Sequence, residues 1–293
     1  MAATPHDKAA GSDPRRLFVY NAGFLTQGRV RRILSLSGYD IRIGKPGPGD
    51  LVGVWGKSPT SPRGEAVAAA TDAPVLTVED AFLRSVRPGR DGGGPPIGLM
   101  LDSRGVHFEG ARPSDLEHRL ATDPLDDGAV LARARDGIER LKEADLSKYN
   151  HFDPALPVPE PGYVLVIDQT RGDASVTFGG ATESTFREML VFAQEEHPGA
   201  RIVIKAHPET LLGHRLGHYN EGHAHGHISL LSDPVSPWRL LDGAVAVYTV
   251  SSQMGFEAIL AGHRPRVFGQ PFYAGWGLTA DENPVPRRTR KLT

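Results

Sequence analysis

Short apolar runs alternate with helical patterns along this chain, and the alternation starts twice. Residues 17–20 read as a buried strand, and a helical pattern follows over 26–37, closed by Gly38. Residues 40–43, 51–55 and 74–78 read as further strands, with a helix over 63–71 before the last of them. Such alternation constrains the chain to an α/β layered fold with a mainly parallel sheet. A Gly/Pro loop at 88–98 leads into residues 97–108, which read as a hairpin turning at Ser103-Arg104-Gly105. Residues 114–122 and 127–148 then read as two helices. In the second, Val130, Ala134, Ile138 and Leu141 recur at helical spacing.

Four prolines between His151 and Gly162 make a stiff segment, and the domain boundary is expected there. The expected organisation is a disordered tail at 1–14, an N-terminal α/β domain at 15–155 and a C-terminal α/β domain at 156–293. The second half restarts the pattern, with strands at 163–167, 201–205, 228–231, 244–250 and 267–268 and helices at 184–196 and 252–260. Two such halves predict an interdomain cleft, with ligands bound past the carboxyl ends of the strands.

Composition narrows the chemistry. Lys and Arg total 33 against 35 Asp and Glu, and a net charge of −2 argues against a chain built to coat nucleic acid. The absence of cysteine removes thiol nucleophiles, disulfides and Cys-ligated metal sites. The polar start lacks the apolar stretch of a signal peptide, and no run approaches the ~20 apolar residues of a membrane span. The expectation is a soluble, cytoplasmic protein, at most peripheral at a membrane. Five histidines lie between Gly213 and His227, but the glycines among them and the lack of periodicity read as a solvated loop rather than a metal centre.

Several strand ends carry polar residues. The strand at 202–205 runs into Lys205, His207, Pro208 and Glu209, a set that either neutralises a phosphate or caps the strand. The strand at 244–250 ends at Ser251 and Ser252, which open a helix bearing Glu257. Backbone N–H groups there form an anion site, and one serine can cap while the other meets the ligand. Glu79 and Asp80 end a first-half strand. Asp168, Gln169 and Asp173 follow the first strand of the second half. Paired acids serve glycosyl transfer, although Asp-rich loops are also ordinary turn chemistry. Tyr273 and Trp276 sit among glycines, either lining a sugar or nucleotide pocket or packing under a loop. Neither a Walker motif nor GxGxxG is present, so a nucleoside triphosphatase or a dinucleotide-dependent dehydrogenase is poorly supported.

Taken together, Gln-Pro-Phe-Tyr-Ala-Gly-Trp-Gly-Leu-Thr (270–279), Lys-Ala-His-Pro-Glu (205–209) and Ser-Ser-Gln-Met-Gly-Phe-Glu-Ala (251–258) resemble the bacterial capsule polysaccharide β-Kdo transferases of the KpsC type. Glu-Asp-Ala-Phe-Leu-Arg-Ser (79–85), Trp-Gly-Lys-Ser (55–58) and Gly-Asp-Ala-Ser (172–175) fit the same family, and the resemblance covers about residues 17–290. It implies a GT-B-like glycosyltransferase with two Rossmann-like halves, the acceptor side N-terminal and the donor side C-terminal. The implied donor is CMP-β-Kdo, with no further cofactor and no metal. The implied acceptor is a Kdo-bearing phosphatidylglycerol at the cytoplasmic face of the inner membrane. Family members often carry two such modules in tandem, so a second module is an implied partner.

A β-linkage made from a β-donor means retention, which two inversions through a covalent intermediate satisfy. The resemblance assigns the nucleophile to Asp173, within the shared Asp-Ala-Ser motif. His207, Lys205 and the Ser251/Ser252 helix start would stabilise the leaving phosphate, with Pro208, Glu209 and Gln169 among the substrate-binding residues. Glu79 or Asp80 would deprotonate the acceptor, Glu257 would hold the ribose hydroxyls, and Arg84 would pair the Kdo carboxylate. Two alternatives remain open: an inverting, sialyltransferase-like enzyme using another CMP-sugar, and a non-catalytic module binding a nucleotide-sugar or lipid acceptor.

Overall fold

The structure, a computed structural model, describes residues 13–293. Most of the expected tail at 1–14 lies outside the described residues, and the first strand starts at Arg15. The chain forms two compact units. One comprises 13–84 with 95–106, the other 85–94 with 107–293.

The first unit runs β1 (Arg15–Val19), α1 (Gly23–Thr26), α2 (Gly28–Leu36), β2 (Tyr39–Arg42), β3 (Leu51–Trp55), α3 (Ser61–Thr71), β4 (Val75–Asp80) and β5 (Leu99–Asp102). Its sheet has the order β2-β1-β3-β4-β5, parallel except for β5. Leu17, Val19, Leu51, Leu76 and Val78 pack with Phe24, Val30 and Leu34 on one face. On the other face α3 comes close enough that a Cβ on Gly64 would lie 2.8 Å from Val54 Cγ1. The hairpin expected over 97–108 does not form. Asp102 Oδ1 accepts the backbone N–H groups of Arg104 (2.9 Å) and Gly105 (2.8 Å), a local turn that ends the strand. β5 pairs instead with β4, Thr77 opposite Asp102 and Asp80 opposite Leu99.

The second unit runs α4 (Asp115–Thr122), α5 (Gly128–Glu143), β6 (Tyr163–Ile167), α6 (Ala174–Thr177), α7 (Glu183–Glu196), β7 (Ile202–Lys205), α8 (Pro208–Leu211), β8 (Ile228–Leu231), α9 (Pro237–Asp242), β9 (Ala244–Thr249), α10 (Gln253–Leu260), β10 (Arg266–Val267) and β11 (Ala280–Asp281). All six strands are parallel, in the order β11-β10-β9-β6-β7-β8. From the β8 edge this is the third-second-first-fourth-fifth-sixth arrangement of a Rossmann sheet. Alternation along β6 sends Val164 and Val166 to the α7 face and Tyr163, Leu165 and Ile167 to the face of α9 and α10. With both faces covered, the strand is apolar throughout, which is why it was legible as one continuous run.

The proline-rich segment, expected to divide the halves, lies on the second unit. The Asp153 N–H donates to Pro234 O (2.8 Å), Arg239 Nη1 donates to Pro154 O (2.6 Å), and Leu156 and Val158 join the core beside Trp238. The helices expected N-terminal to it, α4 and α5, belong to this unit as well. Prolines supply carbonyls without N–H groups, so such a segment is satisfied by donors from the body it covers.

Candidate functional site

In the second sheet the strand order reverses between β6 and β9, and their carboxyl ends lie side by side. The chain leaves β6 towards the α7 face and leaves β9 towards the α10 face, the position at which open sheets of this order bind ligands. Gln169 stands two residues past β6 and Ser251 two residues past β9, both buried. The Ser251 N–H donates to Gln169 Oε1 (2.9 Å). Gln169 Nε2 donates to the hydroxyls of Ser251 (3.1 Å) and Ser175 (3.3 Å). The backbone donor fixes which end of the amide is oxygen, and so orders the hydroxyls around the other end.

The two serines divide the roles that the sequence left open. Ser252 caps α10, its hydroxyl accepting the Met254 N–H (3.3 Å), while Ser251 belongs to the Gln169 network. Asp173 caps α6. Its Oδ1 accepts both the N–H and the hydroxyl of Ser175, each at 2.8 Å. Its Oδ2 has no hydrogen-bond partner among the described residues, and the residue is partly exposed. A carboxylate gripped on one oxygen and open on the other is oriented so that the second oxygen can act as a nucleophile.

His207, at the end of the loop after β7, caps α8, and its Nδ1 accepts the Glu209 N–H (3.1 Å). Burial, reinforced by the nearby Lys148 charge, pushes its pKa down to about 4, so the ring is neutral at neutral pH. With Nδ1 accepting, the proton sits on Nε2, which makes His207 a hydrogen-bond donor and not a cation. Tyr149 meets the ring edge-on, the centroids 6.4 Å apart. Pro208 opens α8 at a position that needs no N–H. The Glu209 carboxylate lies 4.0 Å from both Arg90 and Arg215. Lys205 is buried, and its ammonium donates to the Asp233 (3.0 Å) and Ala206 (3.3 Å) carbonyls. Burial lowers its pKa to about 8.

Other expected site residues face inward. Asp168 is 1% exposed and accepts the N–H groups of Gln169 (2.8 Å), His218 (3.1 Å) and Tyr219 (3.4 Å), and burial raises its pKa to about 6. A Cβ on Gly217 would come 2.2 Å from its Oδ2, so only glycine fits there. Glu257 is buried, accepts the Ser147 hydroxyl (2.6 Å) and the Lys148 N–H, and is pushed up to about 7 by burial. Its carboxylate is engaged by the 147–148 segment. Tyr273 and Trp276 are core residues rather than pocket walls. Tyr273 donates its hydroxyl to Ser252 O (2.6 Å), and Trp276, 1% exposed, donates Nε1 to Phe272 O (2.8 Å). Arg288 clamps that loop through the Pro271 (2.5 Å) and Ala274 (2.9 Å) carbonyls, which turns the aromatic rings inward.

The first unit carries the acid pair. Glu79 and Asp80 are the last residues of β4, the Asp80 N–H donates to Glu79 Oε1 (2.8 Å), and Arg84 Nε donates to Asp80 Oδ2 (2.8 Å). Arg84, expected to meet a sugar carboxylate, is thus engaged by Asp80.

The histidine-rich segment is not a uniformly solvated loop. His218 is buried and stacked on Phe186, the centroids 3.6 Å apart, while His214 lies 3.6 Å from Asp91. Among the described residues no group of three or more His, Asp or Glu is arranged to hold a metal, and no helix is long and apolar enough to cross a membrane. Sequence reasoning missed three residues that the fold brings to the site: Ser175, Tyr149 and Arg215. Ser175 alone carried a signal, as the last member of the Gly-Asp-Ala-Ser motif.

Residues 50–158 and 153–293 match the family model described as capsule polysaccharide biosynthesis protein. The capsule polysaccharide modification protein LipA of Neisseria meningitidis serogroup B is 37% identical over 283 residues, covering 94% of this chain and 40% of LipA. The lipopolysaccharide-processing protein LpsZ of Rhizobium meliloti is 38% identical over 229 residues, covering 76% of this chain and 52% of LpsZ. The chain therefore spans about half or less of the length of these curated relatives. Among solved structures, the beta Kdo 2,4 transferase of Thermosulfurimonas dismutans KpsC aligns with a TM-score of 0.86 and 34% identity, covering 97% of this chain and 88% of that one. The beta Kdo 2,7 transferase of the same KpsC aligns with a TM-score of 0.70 and 26% identity, covering 96% and 87%.

Proposed function

The chain belongs to the capsule polysaccharide biosynthesis protein family, and on that premise we propose that it is a retaining β-Kdo transferase. It moves Kdo from CMP-β-Kdo to a lipid-linked Kdo acceptor during capsule linker synthesis, at the cytoplasmic face of the inner membrane. The likeness to the KpsC beta Kdo 2,4 transferase over nearly the whole chain carries the reading, and its margin over the 2,7 transferase favours the 4-linkage. The greater length of the curated relatives supports a second module as partner.

The geometry of the second unit supplies a donor-side mechanism. Asp173 Oδ2 attacks the anomeric carbon as the bond to the CMP phosphate oxygen breaks, and CMP departs with the bonding pair. The acceptor hydroxyl then attacks the same carbon, its proton passes to a base, and the Asp173 carboxylate is released. A phosphate leaving group is stable as an anion and needs donors more than an acid. The Nε2–H of His207 and the start of α10 are the donors proposed for it. Glu79 or Asp80 is the proposed base. No metal enters this scheme.

Intact-protein mass spectrometry after incubation with CMP-β-Kdo tests the reading on wild type and Asp173→Ala. One added Kdo in the wild type, absent from the variant, is the expected result. CMP release on adding acceptor, without an adduct at any time and with Asp173→Ala still active, would sink the covalent mechanism in favour of an inverting enzyme. CMP binding with no turnover under any condition would leave a binding module.

A further inference from the structure

In a 2-keto sugar acid the carboxylate is bonded directly to the anomeric carbon. A carboxylate nucleophile must therefore approach that carbon beside a second negative charge, and two like charges this close in a partly desolvated site repel strongly. A cation next to the nucleophile relieves the repulsion, and an arginine with a free edge suits a planar carboxylate.

Lys205, Arg171 and Arg215, three cations of the second unit, differ in what they already hold. Lys205 is tied to two carbonyls. Arg171 donates Nε to Gly217 O (3.0 Å) and lies 3.3 Å from Glu183. Arg215 differs. Its Nη2 donates to Arg171 O (2.6 Å), and a Cβ on Gly172, the residue before Asp173, would lie 3.3 Å from the same nitrogen. The guanidinium is thus pinned against the loop that presents the nucleophile. Its Nη1 faces the Glu209 carboxylate at 4.0 Å, an ion contact too long for a hydrogen bond, so Nη1 and Nε make no hydrogen bond among the described residues. The side chain is 25% exposed, so a ligand can reach it. Its placement is also set by the backbone. Thr170 bridges Gly217, and the Arg171 N–H donates to Leu216 O (2.8 Å), which lays 215–217 alongside 170–172.

We propose that Arg215 binds the carboxylate of the donor sugar beside Asp173, and so selects a 2-keto acid sugar over a neutral one. The assignment rests on the Kdo-transferase reading above. Donor and bare nucleotide separate it from a structural role, because CMP lacks the sugar. Arg215→Met is expected to bind CMP within about twofold of wild type while the KM for CMP-β-Kdo rises about 10- to 100-fold, the worth of a charge-assisted hydrogen bond. Arg215→Lys is expected to recover part of that loss, a point charge replacing a fork. Retained CMP affinity also reports that the variant is folded. Equal weakening of CMP and CMP-β-Kdo would mean that Arg215 only props the Asp173 loop, and would overturn the assignment. An unchanged KM in Arg215→Met, alongside a wild type that turns over, would overturn it too while leaving the transferase standing. A wild type that never consumes CMP-β-Kdo would take down both.

Discussion

Gln169 holds Ser251 from both ends of its amide, taking the backbone N–H on Oε1 at 2.9 Å and giving Nε2 to the hydroxyl at 3.1 Å. The two residues are 82 positions apart and join the ends of β6 and β9, where the sheet reverses. Cutting this link should loosen the loops that carry Asp173 and the start of α10 together.

Gln169→Ala leaves a buried N–H and two hydroxyls short of partners. We expect a stability loss of about 1–3 kcal/mol, together with weaker CMP binding. Urea unfolding and calorimetry on the same preparation check both. Full stability with full CMP affinity would show that the network is dispensable.

Glu257 should make the protein less stable as pH rises through a defined window. Its folded pKa of about 7 stands above the ordinary 4.5, so between those values the native state holds a proton that the unfolded chain has lost. Stability contributed by this group is full below 4.5, falls between 4.5 and about 7, and is flat above. The total is on the order of 3 kcal/mol. Glu257→Gln, which keeps an acceptor for Ser147, should reduce that fall in denaturation curves taken across the window and leave the smaller one from Asp168, raised to about 6.

His207 acts in the opposite sense. Its folded pKa of about 4 lies below the ordinary 6.5, so the unfolded chain takes up the proton first as pH falls. Stability from this group is full above 6.5 and is lost between 6.5 and about 4. His207→Gln should reduce that acid loss, leaving the loss from His107, whose pKa burial also lowers to about 4, and the opposite trends of Glu257 and Asp168. In the wild type the His207 ring stays neutral above about pH 5, so the rate profile should show no limb from it near neutrality. A histidine-like limb near pH 6.5 that disappears in His207→Gln would contradict the neutral-donor role.

Glu117 and Arg288 form a buried pair, with Arg288 Nη2 2.8 Å from Oε2 and side-chain exposures of 6% for Glu117 and 1% for Arg288. Arg287 reaches Oε1 of the same carboxylate from a more exposed position. Glu117→Leu strands Arg288 and should cost about 3–5 kcal/mol, whereas Arg287→Met should cost about 1 kcal/mol or less. Comparing urea midpoints of the two variants tests the difference. Equal, small losses would show that the C-terminal segment is not anchored through Glu117.

Much of the framework was legible because its signals are local. Leu51–Trp55, Tyr163–Ile167 and Ile228–Leu231 are strands where the apolar runs place them, and Ser252 opens α10 as capping chemistry allows. The hairpin at 97–108 failed for the opposite reason. Nothing local tells residues 99–102 that their partner is β4, about twenty positions upstream. The short helices α6 and α9 also went unread, since a run of four to six residues carries too little periodicity to detect.

The sequence by itself determined the α/β class, the family resemblance and the candidate groups Asp173, His207 and Ser251, because strand periodicity, caps and contiguous motifs are properties of neighbouring residues. Only the tertiary structure decided where each group sits and what it touches. It turned Tyr273 and Trp276 inward, bound Arg84 to Asp80, laid the proline-rich segment on the second unit, and brought Ser175 and Arg215 to the Asp173 loop. Those outcomes depend on strand order and on which buried donors need acceptors. Such contacts join residues far apart in sequence, and no short window of the chain encodes them.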